Sequence, residues 1–375
     1  MSSGMVQGFA HDRYAKVRAV FSEHLAHGAD VGASFCATVD GETVVDLWGG
    51  YADASRTRAW DRDTIVNVFS TTKTMTNLTA LLLADRGALD LDAPVARYWP
   101  EFAANGKGGV LVRHVLGHTA GLSGWREPVS GTDLYDWEKV TELLAAQAPY
   151  WVPGTAPGYH GTTQGYLVGE VVRRVTGQSL GSVFRQEIAE PLEADFYIGL
   201  PESEDFRVAD LIPPADQRHS GSLPSLLDNM LTNPPVDVAA TRTRAWRAAE
   251  IPAIGGMGNA RAIAEVHAIL ANGGVAKGHR FMSEAGARKA FDLQGEGLDV
   301  VMGIPARFGL GFGLGDGSTF GRNTLYWGGF GGSMAVIDPE ARATYGYAMN
   351  KMVRTTTGDN RALSLIRAVS AAITG

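Results

Sequence analysis

Tyr14, Val17, Phe21 and Leu25 in "HDRYAKVRAVFSEHLAH" (11–27) fall near the three-to-four spacing of one helix face, so the segment reads as an amphipathic helix. "TMTNLTALLLADRG" (74–87) repeats the pattern with Met75, Leu78, Leu81 and Leu82, and Gly87 is its natural stop. "GYLVGEVVRRVT" (165–176) and "RALSLIRAVSAAI" (361–373) read as two more helices. Between the first two lies "ASFCATVDGETVVDLWGG", two apolar runs joined at Asp40-Gly41, the turn signal of a β-hairpin. Strand patterns then vanish until "FGLGFGLG", "TLYWGGFGGSMAVIDP" and "ATYGYAMNKM" near the C-terminus.

Strands at both ends with helices and loops between them predict one sheet assembled from the two termini. Residues 1–60 and 251–375 are expected to form that sheet domain, and 61–250 a mainly helical insertion, with the functional site between the two. Short connections such as Asp338-Pro339-Glu340 imply antiparallel neighbours, so the class is α+β, an antiparallel sheet flanked by helices.

Composition narrows the function classes. The chain has 375 residues with 45% hydrophobic and 19% charged positions, an ordinary globular balance. A net charge of -7 argues against nucleic acid as a partner, because phosphate binding needs a basic face. Apolar stretches such as "LTALLLA" are too short to span a bilayer, and "MSSGMVQGFAHDRYAKVRAVF" lacks a signal-peptide pattern. With one cysteine, Cys36, no internal disulfide forms. These features together give a cytoplasmic expectation with no membrane partner; the oligomeric state stays open.

Three serines compete as a nucleophile. Ser179 sits in "GQSLG", which matches G-x-S-x-G, a motif that works only at a sharp strand-to-helix turn. An amphipathic helix precedes it, so Gly177 reads as that helix's stop and Ser179 as the cap of the next. Ser333 in "GGSMAVID" leads into a strand and fails the same requirement. His114 and His118 in "HVLGH" lie one turn apart without the glutamate of a zinc protease site, so no metal is expected and a structural role fits them better.

Ser70 remains. In "NVFSTTK" it stands three residues before Lys73, at the start of the 74–87 helix pattern. Residues three apart share a helix face, so the lysine amine can reach the serine hydroxyl. The positive end of the helix dipole and partial burial both disfavour an ammonium there, which makes a neutral, proton-accepting lysine accessible. A serine hydroxyl is a weak nucleophile that needs such a neighbour. An otherwise unfavourable lysine is thereby explained by chemistry.

"VVDLWGGYAD", "FSTTK", "VRHVLGHTAGL", "PGYHGTTQGYLVGEVV" and "WGGFGGSMAVIDP" follow in the order found in serine hydrolases of the class C β-lactamase type, and the chain resembles most closely the family VIII carboxylesterases. The resemblance runs from about residue 31 to 351. It implies the β-lactamase/penicillin-binding-protein-like fold, with Ser70 acylated, Lys73 its activator, and Tyr159 completing the base system without cofactor. It implies an oxyanion hole from the backbone N–H groups of Ser70 and Phe330, and a substrate-bordering stretch at Trp327, Gly328 and Gly329. Two departures separate this chain from the β-lactamases. Tyr159-His160-Gly161 stands where they carry Y-x-N, and Trp-Gly-Gly replaces K-T-G. The expected reaction is hydrolysis of small neutral esters through an acyl-enzyme. Alternatives on the same scaffold are a β-lactamase, a D-amino-acid peptidase, an acyltransferase, or a penicillin-binding sensor that acylates without turnover.

Overall fold

The computed structural model describes residues 5–214, 224–355 and 358–374. Its main sheet has nine antiparallel strands. In spatial order they are Gln7–Ala10, Glu42–Gly50, Gly32–Val39, Ala343–Met349, Met334–Asp338, Leu325–Gly328, Gly313–Leu314, Pro305–Phe308 and Gly295–Leu298. The chain's beginning thus supplies three adjacent strands at one edge and its last third the other six, the two blocks meeting where Gly32–Val39 pairs with Ala343–Met349, an α+β arrangement. The 32–50 hairpin turns at Asp40 (φ 53°) and Gly41 (φ 85°), the two positive-φ positions of the tight turn that Asp-Gly favours.

Helices Ala15–Ala26 and Asn360–Thr374 pack on each other, and Ala260–Ala271 lies across the central strands. Val17, Phe21, Phe35, Leu47, Ile263, Tyr347 and Val369 are among the buried residues of this layer. Residues between the sheet's two halves form mostly helices and loops, with a two-stranded sheet over Val275–Ala276 and His279–Arg280 and a three-stranded one. In the latter Val66–Asn67 and Phe196–Tyr197 both pair with Met257–Gly258. Among the described residues, no helix is long and apolar enough to cross a membrane.

Three elements differ from the sequence pattern. "FGLGFGLG" is not one strand: Gly309 N–H turns back to Phe312 O (2.8 Å), splitting it into Pro305–Phe308 and Gly313–Leu314. The strand Gly295–Leu298 escapes the pattern because its "GEGL" is an edge, mostly exposed and glycine-rich. The 74–87 helix pattern corresponds to an α-helix over Thr72–Asp85, preceded by a 3-10 turn over Phe69–Thr71.

That helix runs through the middle of the molecule, and every residue from Thr72 to Leu83 is buried. Its threonines tolerate burial because their hydroxyls donate to carbonyls: Thr72 to Phe69 O (2.5 Å), Thr74 to Thr71 O (2.7 Å), Thr76 to Pro252 O (2.6 Å) and Thr79 to Met75 O (2.8 Å). A helix apolar or self-satisfied all round is a core helix. Its N-terminal turn is the floor of the site.

Candidate active site

Ser70 is the middle residue of the 3-10 turn that opens the central helix. The preceding Phe69 has φ 43°, a conformation in which a bulky side chain is strained by about 1–3 kcal/mol. The surroundings hold it there. Phe69 N–H donates to Asn67 Oδ1 (3.2 Å), its carbonyl accepts from Thr72, and its ring packs edge-on against Phe330 at 5.5 Å. The turn thus thrusts Ser70 forward, with the side chain 7% exposed.

Lys73 comes one helical turn later and is fully buried, more deeply than the partial burial expected from sequence. Its Nζ has three neighbours: Ser70 Oγ at 3.2 Å, Gly161 O at 2.6 Å and Ala253 O at 3.1 Å. Among the described residues no carboxylate pairs with it. Burial therefore drives its pKa well below that of an ordinary lysine. A neutral amine has two N–H groups and one lone pair. The two carbonyls take the N–H groups, and the lone pair is left for the serine hydroxyl.

Tyr159 Oη donates to Ser70 Oγ at 2.6 Å, and its ring centre lies 5.0 Å from Lys73 Nζ. Burial pushes its phenol pKa up, opposed by the bonds to Ser70 and to Trp327, and Asp299 adds to the rise. The raised pKa keeps the tyrosine a neutral O–H donor, and the serine oxygen lies within hydrogen-bond distance of both this hydroxyl and the lysine amine.

The tyrosine's segment is pinned along its backbone. Gly158 N–H donates to His118 O (2.9 Å), Tyr159 N–H to Asp299 Oδ2 (2.9 Å) and His160 N–H to His118 Nδ1 (3.1 Å). His118 therefore belongs to this site, whereas His114 turns away and accepts from Leu111 N–H (3.2 Å). The two do not converge, because the short helix Val112–Leu116 ends between them and His118 adopts φ 57°. Burial, then His160 and Lys73, hold the His118 pKa well below the ordinary imidazole value, so the ring is neutral. His160 accepts from Leu122 N–H with Nε2 (2.9 Å) and meets Gly158 O with Nδ1 (2.6 Å), a satisfied core histidine. Among the described residues no group of three or more His, Cys, Asp or Glu could hold a metal ion.

Trp327 lies on strand Leu325–Gly328, paired with Ala335. Its ring stacks on His118 (5.2 Å, 17°) and approaches Tyr159 (5.9 Å) and Phe308 (5.8 Å). Only 6% of it is exposed, so it backs Tyr159 and has little surface left to face a ligand. Gly329 is a glycine for space: a Cβ there would come within 2.1 Å of Val68 O and 2.2 Å of Ser333 Oγ. Gly328 precedes it at the strand's end. Ser333 ties this turn to the serine's segment by donating to Val68 O (2.8 Å). Of the backbone donors in the turn, Gly329 N–H goes to Ser333 O and Gly331 N–H to Thr355 O, whereas Phe330 N–H meets no acceptor among the described residues. Ser70 N–H lies in the opening helical turn, where donors lack intrahelical partners.

The other serines are occupied. Ser179 caps the helix Leu180–Phe184, accepting from Ser182 N–H (3.3 Å) and donating to Glu250 (2.5 Å), just after the left-handed Gly177. Residues that the sequence did not reveal are Asp299, Ala253, whose carbonyl alone matters, and Met230. A side chain added at Gly161 would begin 2.8 Å from Met230 Cγ and Sδ, so the methionine fills the space that the third residue of Y-x-N would need.

Comparison with known proteins adds a family and several relatives. The family model described as Beta-lactamase matches residues 17–369. The protein "Esterase/beta-lactamase LipL" of Mycobacterium tuberculosis is 36% identical over 93% of this chain and 83% of its own. A solved structure of a family VIII carboxylesterase superposes with a TM-score of 0.93 at 44% identity, covering 98% of this chain and 99% of that one. A penicillin-binding protein homologue from Caulobacter crescentus gives 0.92 at 38% identity, with 98% and 99% covered.

Proposed function

The chain belongs to the beta-lactamase family and is a serine hydrolase acting on carboxylic esters, and we propose that Ser70, Lys73 and Tyr159 carry its reaction. The observation that supports this most is the serine oxygen held between a fully buried lysine amine and a buried tyrosine hydroxyl.

In the proposed sequence Ser70 passes its proton to the Lys73 lone pair as Oγ attacks the ester carbonyl. The new ammonium stays hydrogen-bonded to Gly161 O and Ala253 O, which favours the charge as it forms. The backbone N–H groups of Ser70 and Phe330 receive the oxyanion, the kind of preorganised contact worth about 3–4 kcal/mol for one donor. Tyr159, kept neutral by burial, hands its proton to the departing alkoxide and is reprotonated from Lys73. Water then gives a proton to the restored amine and attacks the acyl-enzyme; as the C–Oγ bond breaks, Lys73 returns that proton to Ser70 Oγ and the acid is freed. In this reading the substrate is bound between a sheet domain (1–60 and 251–375) and a mainly helical insertion (61–250).

Small neutral esters are the proposed substrates. Trp327 removes the cation that K-T-G would aim at a carboxylate, and Met230 occupies the room of the missing amide. The likeness to a penicillin-binding protein homologue keeps β-lactam acylation as the second reading. Steady-state turnover of p-nitrophenyl acetate and of nitrocefin separates the two. Sustained ester hydrolysis with slow or no nitrocefin cleavage is expected. A single stoichiometric burst on the ester, or a preference for nitrocefin, overturns the proposal.

A further inference from the structure

The catalytic tyrosine's own backbone is fixed from the far edge of the sheet. Strands Gly295–Leu298 and Pro305–Phe308 form the outermost hairpin, and its tip folds back onto the segment before Tyr159. Val300 N–H donates to Pro157 O (2.9 Å), and Gly158 is so closely packed that a Cβ would touch both Trp151 (2.5 Å) and Val300 (2.9 Å). Asp299 stands at the junction and is 1% exposed.

The two oxygens of Asp299 do different things. Oδ1 accepts from Val301 and Met302 N–H, both at 2.8 Å, and closes the hairpin tip. Oδ2 accepts from Tyr159 N–H at 2.9 Å. Among the described residues no basic side chain forms an ion pair with this carboxylate, and burial raises its pKa. An aspartate that only shapes a turn does so in water at little cost. Removing a carboxylate from water without a counter-ion is costly and needs compensation from hydrogen bonds. The turn uses one oxygen and the tyrosine the other.

We infer that Asp299 is a positioning residue for the hydrolytic reaction, acting through Tyr159. His118 anchors the backbone on either side, at Gly158 and His160; Asp299 fixes the tyrosine residue itself. Its loss lets the hydroxyl drift from Ser70 Oγ. The inference rests on the reading of Tyr159 given above.

The test is a double-mutant cycle with p-nitrophenyl acetate. Asp299→Asn presents a donor where one of the N–H groups needs an acceptor, and should lower kcat by about 10- to 100-fold, the scale of a misplacement near 1 Å. KM should stay within about threefold, because the substrate is not touched. In a Tyr159→Phe background the same change should cost less than about twofold more, since the hydroxyl it positions is already gone. Losses that multiply, or a wild-type kcat in Asp299→Asn, overturn the inference. If Tyr159→Phe alone retains full activity, the role given to Tyr159 fails by itself. Any loss in Asp299→Asn would then lie elsewhere, and the inference falls with it. Should the Asn variant not fold, Asp299→Ser is measured instead: its hydroxyl can still cap Val301 and Met302 but is too short for Tyr159 N–H.

Discussion

Among the described residues two lysines are fully buried without a carboxylate partner, and one of them, Lys73, faces the proposed nucleophile. Lys107 donates to Ala104 O at 2.7 Å, to Ala145 O at 2.9 Å and to Gln147 O, so that three carbonyls match three ammonium N–H groups. Its ammonium also sits 5.3 Å from the Phe102 ring. Burial lowers its pKa to about 8. Lys73 has two carbonyls and a serine hydroxyl, and burial holds its pKa well below that of an ordinary lysine. Replacing one carbonyl by a hydroxyl changes what the cage prefers. Three acceptors favour the cation, whereas two acceptors and an O–H donor suit the neutral amine. Burial alone makes a staple; burial beside a donor makes a base.

The largest break in this comparison is Ser70→Ala, which removes the hydroxyl that distinguishes the cages. Ester turnover should fall on the order of a million-fold, as for other nucleophile losses. Ser179→Ala should leave kcat within a few-fold, because that serine caps a helix. A fluorophosphonate adduct mapped by mass spectrometry to Ser179 or Ser333 instead of Ser70 would refute the assignment.

Next in size is the exchange of each lysine for methionine. Lys73→Met should cost about a hundredfold to ten-thousandfold in kcat, the usual worth of an acid–base group. Lys107→Met should leave kcat near wild type and lower unfolding stability by about 1–3 kcal/mol, because buried carbonyls lose their donor. Denaturant titration and ester kinetics on both variants check the pair. Equal catalytic losses would erase the distinction.

The pH dependence should divide in the same way. As the proposed base, Lys73 acts in its neutral form, so kcat/KM should rise with pH through its depressed pKa and then level off. Lys107 affects stability. Its folded pKa of about 8 lies below that of an unfolded lysine, about 10.4, so the unfolded state binds more protons between these values. Its contribution is fully present above the unfolded pKa and is lost as pH falls through about 8. Comparing wild type with Lys107→Met in denaturant between these limits isolates it; a parallel pH dependence in both proteins contradicts the assignment.

The smallest effect concerns the Lys73 cage itself. Gly161→Asn should collide with Met230 and disturb the carbonyl that holds Nζ, lowering ester kcat/KM by about tenfold, roughly 1.4 kcal/mol. It should add no nitrocefin hydrolysis. Coupling it to Met230→Ala should recover most of the ester activity. An unchanged rate in the single variant would show that the space is free.

How much of this was readable in the chain depends on whether local pattern or long-range packing decides the feature. The 32–50 hairpin, the central helix and the terminal helices follow from periodicity and turn residues that neighbours in sequence supply. Ser70 and Lys73 were legible for the same reason, since their spacing is one helical turn. The capping role of Ser179 was legible too, from the helix pattern on both sides of Gly177. Tyr159 was not: its link to Ser70 spans 89 positions and came from the family resemblance alone. Asp299, 140 positions from the N–H it accepts, carries no local signal, because "LDV" in an exposed edge hairpin looks like any turn. Nor does sequence reveal that Phe69 is strained or that Trp327 is mostly covered, as both depend on what the fold stacks against them. Lys107 gave no hint of burial: "ANGKGG" reads as a solvated loop, and only its carbonyl cage shows otherwise.

The most direct test is a lysine side-chain NMR titration, following the 15Nζ and 13Cε resonances of Lys73 and Lys107 in the resting enzyme, assigned with the two methionine variants. The account requires Lys73 to titrate well below an ordinary lysine, at the same pH as the acidic limb of kcat/KM, with Lys107 changing charge near pH 8. A Lys73 signal that remains an ammonium throughout the pH range where the enzyme turns over ester would contradict the account.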